Sequence, residues 1–283
     1  TLNLIPTSPR GAPLGQRTTE RRIVHRIATV RVAKEDTITA AELQGIRAFG
    51  SETELMSVQA EVARRTVGPT GLLRDMELTW EHMALGMVQG IVYDADNSTT
   101  LHNWFNILSE TADSEIDFDL DNASPASCVV RKNCNLVTRQ MRRAAKGGWA
   151  QGTRIIGLCG DTFFDQLTAH SEVRQTYLNW AAAADLRTGN AWDAMPYGGI
   201  DWVNYRGTDD SSTVAVGATK AKFFPSGAPG VFQVAWAPGE SLDWVNTLGR
   251  QLYQHVIPDR DRNMWVKSEI YSYPLFICTR PKM

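Results

Sequence analysis

Several things are scarce or missing in this 283-residue chain, and each absence removes a class of function. Four cysteines are too few for a disulfide scaffold of this size. Cys128 and Cys134 stand too far apart for a CxxC knuckle, and no nearby histidine completes a zinc set. With Cys159 and Cys278 they read as free, mostly buried thiols in a reducing compartment. No run approaches the ~18 apolar residues a membrane-spanning helix needs, which excludes such a helix. Thr1 to Arg10 lack the charged-then-apolar pattern of a signal peptide. Positive charge is not in excess: 29 Lys+Arg against 31 Asp+Glu give a net charge of −2, unlike a strongly basic nucleic-acid binder. The motifs GxGxxG, HExxH and GxSxG and the P-loop pattern are all absent.

Weaker fragments of chemistry fare no better. Asp94-Ala95-Asp96-Asn97-Ser98 opens like a calcium loop. It fails at the glycine position, held by Thr99, and at the bidentate glutamate position, held by Phe105. The five histidines are scattered, and His170-Ser171 reads as a helix junction rather than a nucleophile with its base. Neither metal nor cofactor is implied.

What is present is an ordinary globular composition, 43% hydrophobic and 21% charged, with nine tryptophans. Large aromatics of that number hint at binding surface. At ~150 residues per domain the length suggests about two domains.

Residues 4–15, with three prolines and two glycines, can form neither helix nor central strand and read as an extended arm. Residues 20–34 are β-branched and basic on both faces, which predicts a strand. We expect a hairpin, turning near Lys34-Glu35-Asp36-Thr37 and returning through Ile38 to Phe49. Its apolar residues Ile23, Val24, Ile27, Val30, Val32, Ile38, Leu43 and Ile46 need cover. A lone two-stranded ribbon is marginal in water. The arm cannot cover it, so a projecting hairpin lying on another protein is the expectation, with few contacts beyond residue 120. Arg21, Arg22, Arg26 and Arg31 would then meet acids on that neighbour.

Ser51 with Glu54 forms a capping box that opens a helix. Leu55, Val58, Val62, Leu72, Met76, Trp80, Met83 and Met87 continue its stripe. Gly68-Pro69 breaks or kinks it, and it ends near Gly90. A strand, polar turn and return strand follow over 90–101. Residues 109–122 carry six acids and no base, and residues 123–147 carry six bases and no acid. The basic block reads as a helix with Val129, Val130, Leu136, Val137 and Met141. The two blocks, and Arg142 and Arg143 in particular, suggest electrostatic pairing within a subunit or between subunits. A short strand at 153–159, helices at 161–167 and 172–184, and strands within 200–207, 231–239 and 264–281 complete an α+β class without regular βαβ alternation. Two aromatic pairs, Trp192 with Tyr197 and Trp202 with Tyr205, could hold sugar rings. With Asp185, Asp193, Asp201 and Asp209 nearby in sequence, a carbohydrate enzyme stays open as an alternative.

A series of segments resembles the major capsid protein family of tailed phages typified by the lambda capsid protein E. They are LIPTSPRGAP (4–13), ITAAELQGIRAFG (38–50), ALGMVQGIVYDADNST (84–99), IIGLCGDTFFDQLTAHSEV (155–173), GGIDWVNYRG (198–207), KFFPSGAPGVFQVAWAPGESLDWVNTLG (222–249) and EIYSYPLFICTRP (269–281). Each alone is weak, but they occur in the family's order along nearly the whole chain.

The resemblance implies the tailed-phage capsid fold. That fold comprises an N-terminal arm (1–18, with part of it missing before Thr1), an extended loop hairpin (19–50) and a peripheral domain with a long spine helix (51–122). An axial domain (123–249) and a return to the peripheral domain (250–283) follow. The resemblance also implies a non-enzymatic shell protein of the virion, assembled in the host cytoplasm. Its partners would be copies of itself in hexamers and pentamers, with scaffold, portal and decoration proteins. The shell would enclose double-stranded DNA without reading its sequence. A cellular nanocompartment shell of the same fold is the other alternative. Gly68-Pro69 departs from the family by interrupting the expected continuous spine helix.

Overall fold

The computed structural model describes residues 7, 9–11, 13, 23–46, 57–122, 127–178, 194–205 and 216–283. Most of the expected arm, Arg21, Arg22, the Ser51 capping box and Trp192 lie outside the described residues. Within them the chain is α+β, with a single parallel strand pair.

The expected turn at 34–37 is a strand. β1 (Val32–Thr39) runs unbroken through Lys34-Glu35-Asp36-Thr37 and pairs antiparallel with β10 (Trp265–Ser272), from Val32 opposite Ser272 to Thr39 opposite Trp265. Each charged residue of that tetrad has a partner on a neighbouring element. Lys34 reaches Asp75 at 2.6 Å, Lys267 reaches Glu35 at 3.4 Å and Arg65 reaches Asp36 at 3.3 Å. A polar run can therefore stay in the ladder. Strand β9 (Tyr253–Pro258) flanks β10 on its other side. Thr39 caps the single turn α1 (Ala40–Leu43).

The long helix is two helices. α2 (Val58–Val67) starts at Ser57, whose Oγ accepts from the Ala60 N–H at 3.1 Å. It stops at Gly68, and Pro69 has no N–H with which to continue the ladder. α3 (Leu72–Gln89) buries Leu72, Met76, Met83 and Met87 along one face, as the stripe predicts. Gly90 ends α3 at φ 80°, in the left-handed region. A Cβ there would lie 2.5 Å from the Phe105 ring. The expected hairpin follows as β2 (Ile91–Tyr93) and β3 (Thr100–Asn103), then the short α4 (Trp104–Ile107).

Residues 110–122 cross the body without regular structure and lead to α5 (Val129–Ala144). After it come β4 (Arg154–Cys159), α6 (Asp161–Ala169), α7 (Ser171–Leu178), β5 (Met195–Tyr197), β6 (Ile200–Asn204) and β7 (Ala221–Ser226). Their strands form one sheet in the order β5-β6-β4-β7. β8 (Phe232–Trp236) pairs with β11 (Pro274–Cys278).

Two main cores result. One packs α5, α6 and α7 against the four-stranded sheet, around Val130, Cys134, Val137, Met141, Phe163, Leu167, Ile200 and Trp202. The other packs α3 against the β2–β3 hairpin and the β8–β11 pair, around Met83, Met87, Val92, Trp104 and Phe276. Smaller apolar contacts join α3 to β10 through Met76 and Ile270.

Gly86 lies where α3 crosses β2. A Cβ on it would come within 2.8 Å of the Ile91 carbonyl oxygen and 2.9 Å of the Val92 Cα. Both are backbone and cannot swing aside. Glycine to alanine inside a helix ordinarily gains ~1 kcal/mol. Here overpacking costs about 1–3 kcal/mol, so Gly86→Ala should lower Tm, as thermal unfolding followed by circular dichroism would show.

Candidate functional site

The N-terminal segment behaves in two ways. Ile23 and Val24 are 69% and 85% exposed. Ile27 and Val30, by contrast, are half-buried against the core of Met83, Val92, Trp104 and Phe276. The Val30 N–H donates to the Pro274 carbonyl at 3.2 Å, and the His102 Nε2 lies 3.0 Å from the Ala28 carbonyl oxygen. Ile38 is 1% exposed. The projecting hairpin is therefore not formed: its second half is the core-facing strand β1, and its middle lies on the chain's own body. The apolar surface of α3 and β11 needs cover, and this segment supplies part of it. Arg31 also stays within the chain. Its Nε lies 3.1 Å from Glu240, and its guanidinium sits over the Tyr271 ring at 5.4 Å. Arg26 is exposed and has no ion pair among the described residues.

Helix α5 is strongly two-sided. Val130, Cys134, Val137 and Met141 are buried. Arg131, Lys132, Arg139, Arg142, Arg143 and Lys146 are all exposed. At 100° per residue the five on the helix fall within an arc of about 120°, and Lys146 follows just past its end. Leu136 is 42% exposed on the same side. The N-terminus of α5 is held by Glu172, whose carboxylate accepts from the Val130 and Arg131 N–H groups at 3.1 and 3.2 Å and from the Tyr197 hydroxyl at 2.9 Å. An anion there complements the helix dipole. The sequence shows Glu172 only as an acid in the first turn of α7, 41 residues from Arg131, with no local signal of this role.

The acidic segment alternates. Ile116, Phe118 and Leu120 turn inward, and Phe118 is 4% exposed among Phe163, Trp202 and Phe223. Glu115, Asp117 and Asp121 are exposed. Of the expected pairings between the two blocks, the described residues show one ion pair, Lys146 to Glu110 at 3.3 Å. Asp113 pairs instead with Lys282 at 3.4 Å, and Glu115 with Lys220. Arg142 lies 5.3 Å over Trp149 and Arg131 5.9 Å over Tyr197.

A third surface has no counterpart in the sequence reading. Leu242, Val245 and Leu248 are 93%, 51% and 91% exposed in the turn-rich loop before β9. Their three-residue spacing was the available signal.

The described parts of the chemical alternatives are engaged otherwise; Asp185, Asp193 and Asp209 lie outside the described residues. Trp202 is fully buried, with its indole N–H donating to the Tyr197 carbonyl at 3.1 Å, so no sugar can stack on it. The Asp96 carboxylate accepts from the Ser98 and Thr99 N–H groups at 3.0 and 2.9 Å and from both hydroxyls. Those bonds hold its pKa below the usual carboxylate range and tie up the oxygens a cation would need. The described residues contain no cluster of three potential metal ligands and no helix long and apolar enough to cross a membrane. Burial pushes the thiols of Cys134 and Cys159 up to about 12, which leaves them inert packing groups. All four cysteines are free, with Cys134, Cys159 and Cys278 buried, as expected, and Cys128 exposed.

The family described as phage major capsid protein E matches residues 1–283. The chain is similar to the major capsid protein of Salmonella phage Felix O1 (isolate Felix O1-VT1), 28% identical over 282 residues, covering 88% of this chain and 73% of that one. It is also similar to the major capsid protein of Pseudomonas phage KPP10, 27% identical over 237 residues, covering 77% and 65% of the two chains. Among solved structures, a chain of Mycobacterium phage Che8 aligns at 12% identity with a TM-score of 0.45, covering 89% and 68%. A prophage chain from E. coli CFT073 aligns at 14% identity with a TM-score of 0.47, covering 88% and 74%.

Proposed function

The chain belongs to the phage major capsid protein E family, and we propose from that premise that its copies associate into hexamers and pentamers that close an icosahedral head shell around packaged double-stranded DNA. The observation that carries this reading is the family match along all 283 residues. The function is mechanical: the shell resists the pressure of its contents, and its stability comes from repeating a few interfaces over many copies. The net charge of −2 suits a wall that does not grip phosphates and hinder ejection. No reaction is part of this function. Assembly takes place in the host cytoplasm, where scaffold, portal and decoration proteins are the further partners.

Exposed apolar side chains support the reading. Val24, Leu242 and Leu248 are each more than 80% exposed. Covering one aliphatic side chain contributes about 1.5–3 kcal/mol. Ile23, Val24 and Arg26 are the described part of the N-terminal segment left to meet a neighbour, and Arg21 and Arg22 precede them in sequence. Ile27, Val30 and Arg31 are engaged on their own chain and would serve that contact from beneath. The peripheral domain takes residues 51–122 and 250–283: β10 packs on α2 and α3 through the Thr66–Ser268 hydroxyl contact at 2.9 Å and the Trp80 indole bond to Ser272 at 3.2 Å. The axial domain (123–249) centres on the four-stranded sheet.

The test is to purify the full-length protein expressed with its assembly partners, and to image it after nuclease treatment. Closed particles with protected double-stranded DNA are expected. A stable monomer that turns over a glycan would overturn the proposal. Shells that hold an enzyme and no DNA would favour the nanocompartment.

A further inference from the structure

We propose that the basic outer face of α5 seats the acidic segment of a second copy of this chain, joining neighbours head to tail. The inference rests on the shell reading and names the pair of surfaces by which copies meet.

The basic face is unbalanced among the described residues. Residues 123–147 contain no acid. Among the described residues, Lys146 alone of the six exposed bases has an ion pair. The stacking of Arg131 and Arg142 on aromatic rings orients their side chains but neutralises nothing. Like charges three and four residues apart, as at Arg139, Arg142 and Arg143, destabilise a helix that has no counter-charge. Such a face fits an anion supplied from outside.

The chain carries the matching surface elsewhere. With Phe118 anchored inward, Asp117 and Asp121 are exposed, and Asp119, at φ 54°, is half-buried with its carboxylate accepting from the Asn122 amide at 3.1 Å. None of the three has an ion pair among the described residues. The segment cannot satisfy its own helix. It lies on the flank of α5 where the Asn133 amide donates to the Asp117 carbonyl at 2.8 Å. Asn133 is about 80° beyond the end of the basic arc. Two different complementary surfaces on one chain make a heterologous contact, which closes into rings. A phosphate backbone would also answer the charge. Leu136, 42% exposed at the edge of the basic face, and the exposed carboxylates of Asp117 and Asp121 favour protein over DNA.

The test uses the full-length protein with its assembly partners. Arg139→Glu/Arg142→Glu/Arg143→Glu should leave the subunit folded and lower particle yield about tenfold or more. Asp117→Lys/Asp119→Lys/Asp121→Lys should do the same. Combining both sets in one chain should restore particles. Normal yield from either single set, or a folded combined variant that makes no particles, overturns the proposal. Normal shells with reduced DNA content also overturn it, and assign the face to phosphates. A cross-link guards against losses from misfolding. In a Cys128→Ser background, Arg143→Cys with Asp119→Cys should give disulfide-linked ladders of copies, and the absence of ladders overturns the pairing. If the unmodified protein makes no shells, the shell reading itself fails. If unmodified and reversed proteins assemble alike, only the pairing does.

Discussion

Trp202→Ala is expected to remove about 3–5 kcal/mol of stability, the range for deleting a large buried aromatic. Trp202 sits on β6 at the centre of the larger core and has no exposed surface. Its ring contacts Phe118, Phe163 and Phe223 at centroid distances of 5.3–5.8 Å. Deletion would leave a cavity bordered by three rings and strip the Tyr197 carbonyl of its indole donor. It would also loosen Phe118, which anchors the acidic segment, so the loss spreads to a surface. A domain of this size holds about 5–15 kcal/mol in total, and the variant should therefore accumulate as aggregate rather than particle. Trp202→Phe keeps much of the ring volume and should cost roughly half as much. Urea unfolding of the isolated subunit measures both. Equal midpoints for Trp202→Ala and the unmodified chain would show that Trp202 is not a core residue.

Trp202 also shows where the sequence could and could not be read. Its position beside Tyr205 is compatible with a sugar platform, and only the strands that close over it decide otherwise. Local patterns were legible. The amphipathic period of α5, the Gly90 stop, the β2–β3 hairpin and the 153–159 strand all fall where spacing places them. Long-range partners were not. Lys34-Glu35-Asp36-Thr37 has turn composition, and its place in β1 depends on Lys267, more than 200 residues away, and on Arg65 and Asp75 in two helices. The expected projecting hairpin failed for the same reason: cover for Ile38 and Val30 comes from β10 and β11 at the far end of the chain. With that hairpin gone, the shell function loses its local support among the described residues, and the family match carries it. The charge blocks were visible as composition. That they hardly pair within one chain became visible only with Phe118 and Asn133 in place.

The second large effect concerns Glu61, the only buried carboxylate among the described residues, at 6% exposure on α2. It accepts from Arg64 Nε and Nη2 at 2.8 and 2.6 Å and from Arg65 Nε at 2.7 Å. Arg65 extends the cluster to Glu42 at 2.8 Å, to Asp36 at 3.3 Å and to the Thr37 carbonyl at 3.3 Å. One guanidinium thus ties α2 to β1 and to α1. The bonds from Arg64 and Arg65 hold the Glu61 pKa down at about 2, against a reference of 4.5. Because the folded value is the lower one, the carboxylate stabilises the fold fully above about pH 4.5. That contribution is lost as pH falls toward about 2. Arg65→Ala leaves Glu61 with Arg64 alone and Asp36 with no cation at ion-pair distance. Breaking a buried pair from one side costs about 3–5 kcal/mol; the remaining arginine and the partial exposure of Arg65 bring the expectation to about 2–3 kcal/mol. The pH dependence separates this from a loss of packing. Glu61→Gln keeps the side-chain volume but has no carboxylate to titrate. Its unfolding midpoint should sit below that of the unmodified chain at pH 7, and the gap should narrow steadily between pH 4.5 and 2. A gap that stays constant across that window would mean that the cluster holds α2 by shape and hydrogen bonding, with the charge on Glu61 contributing nothing.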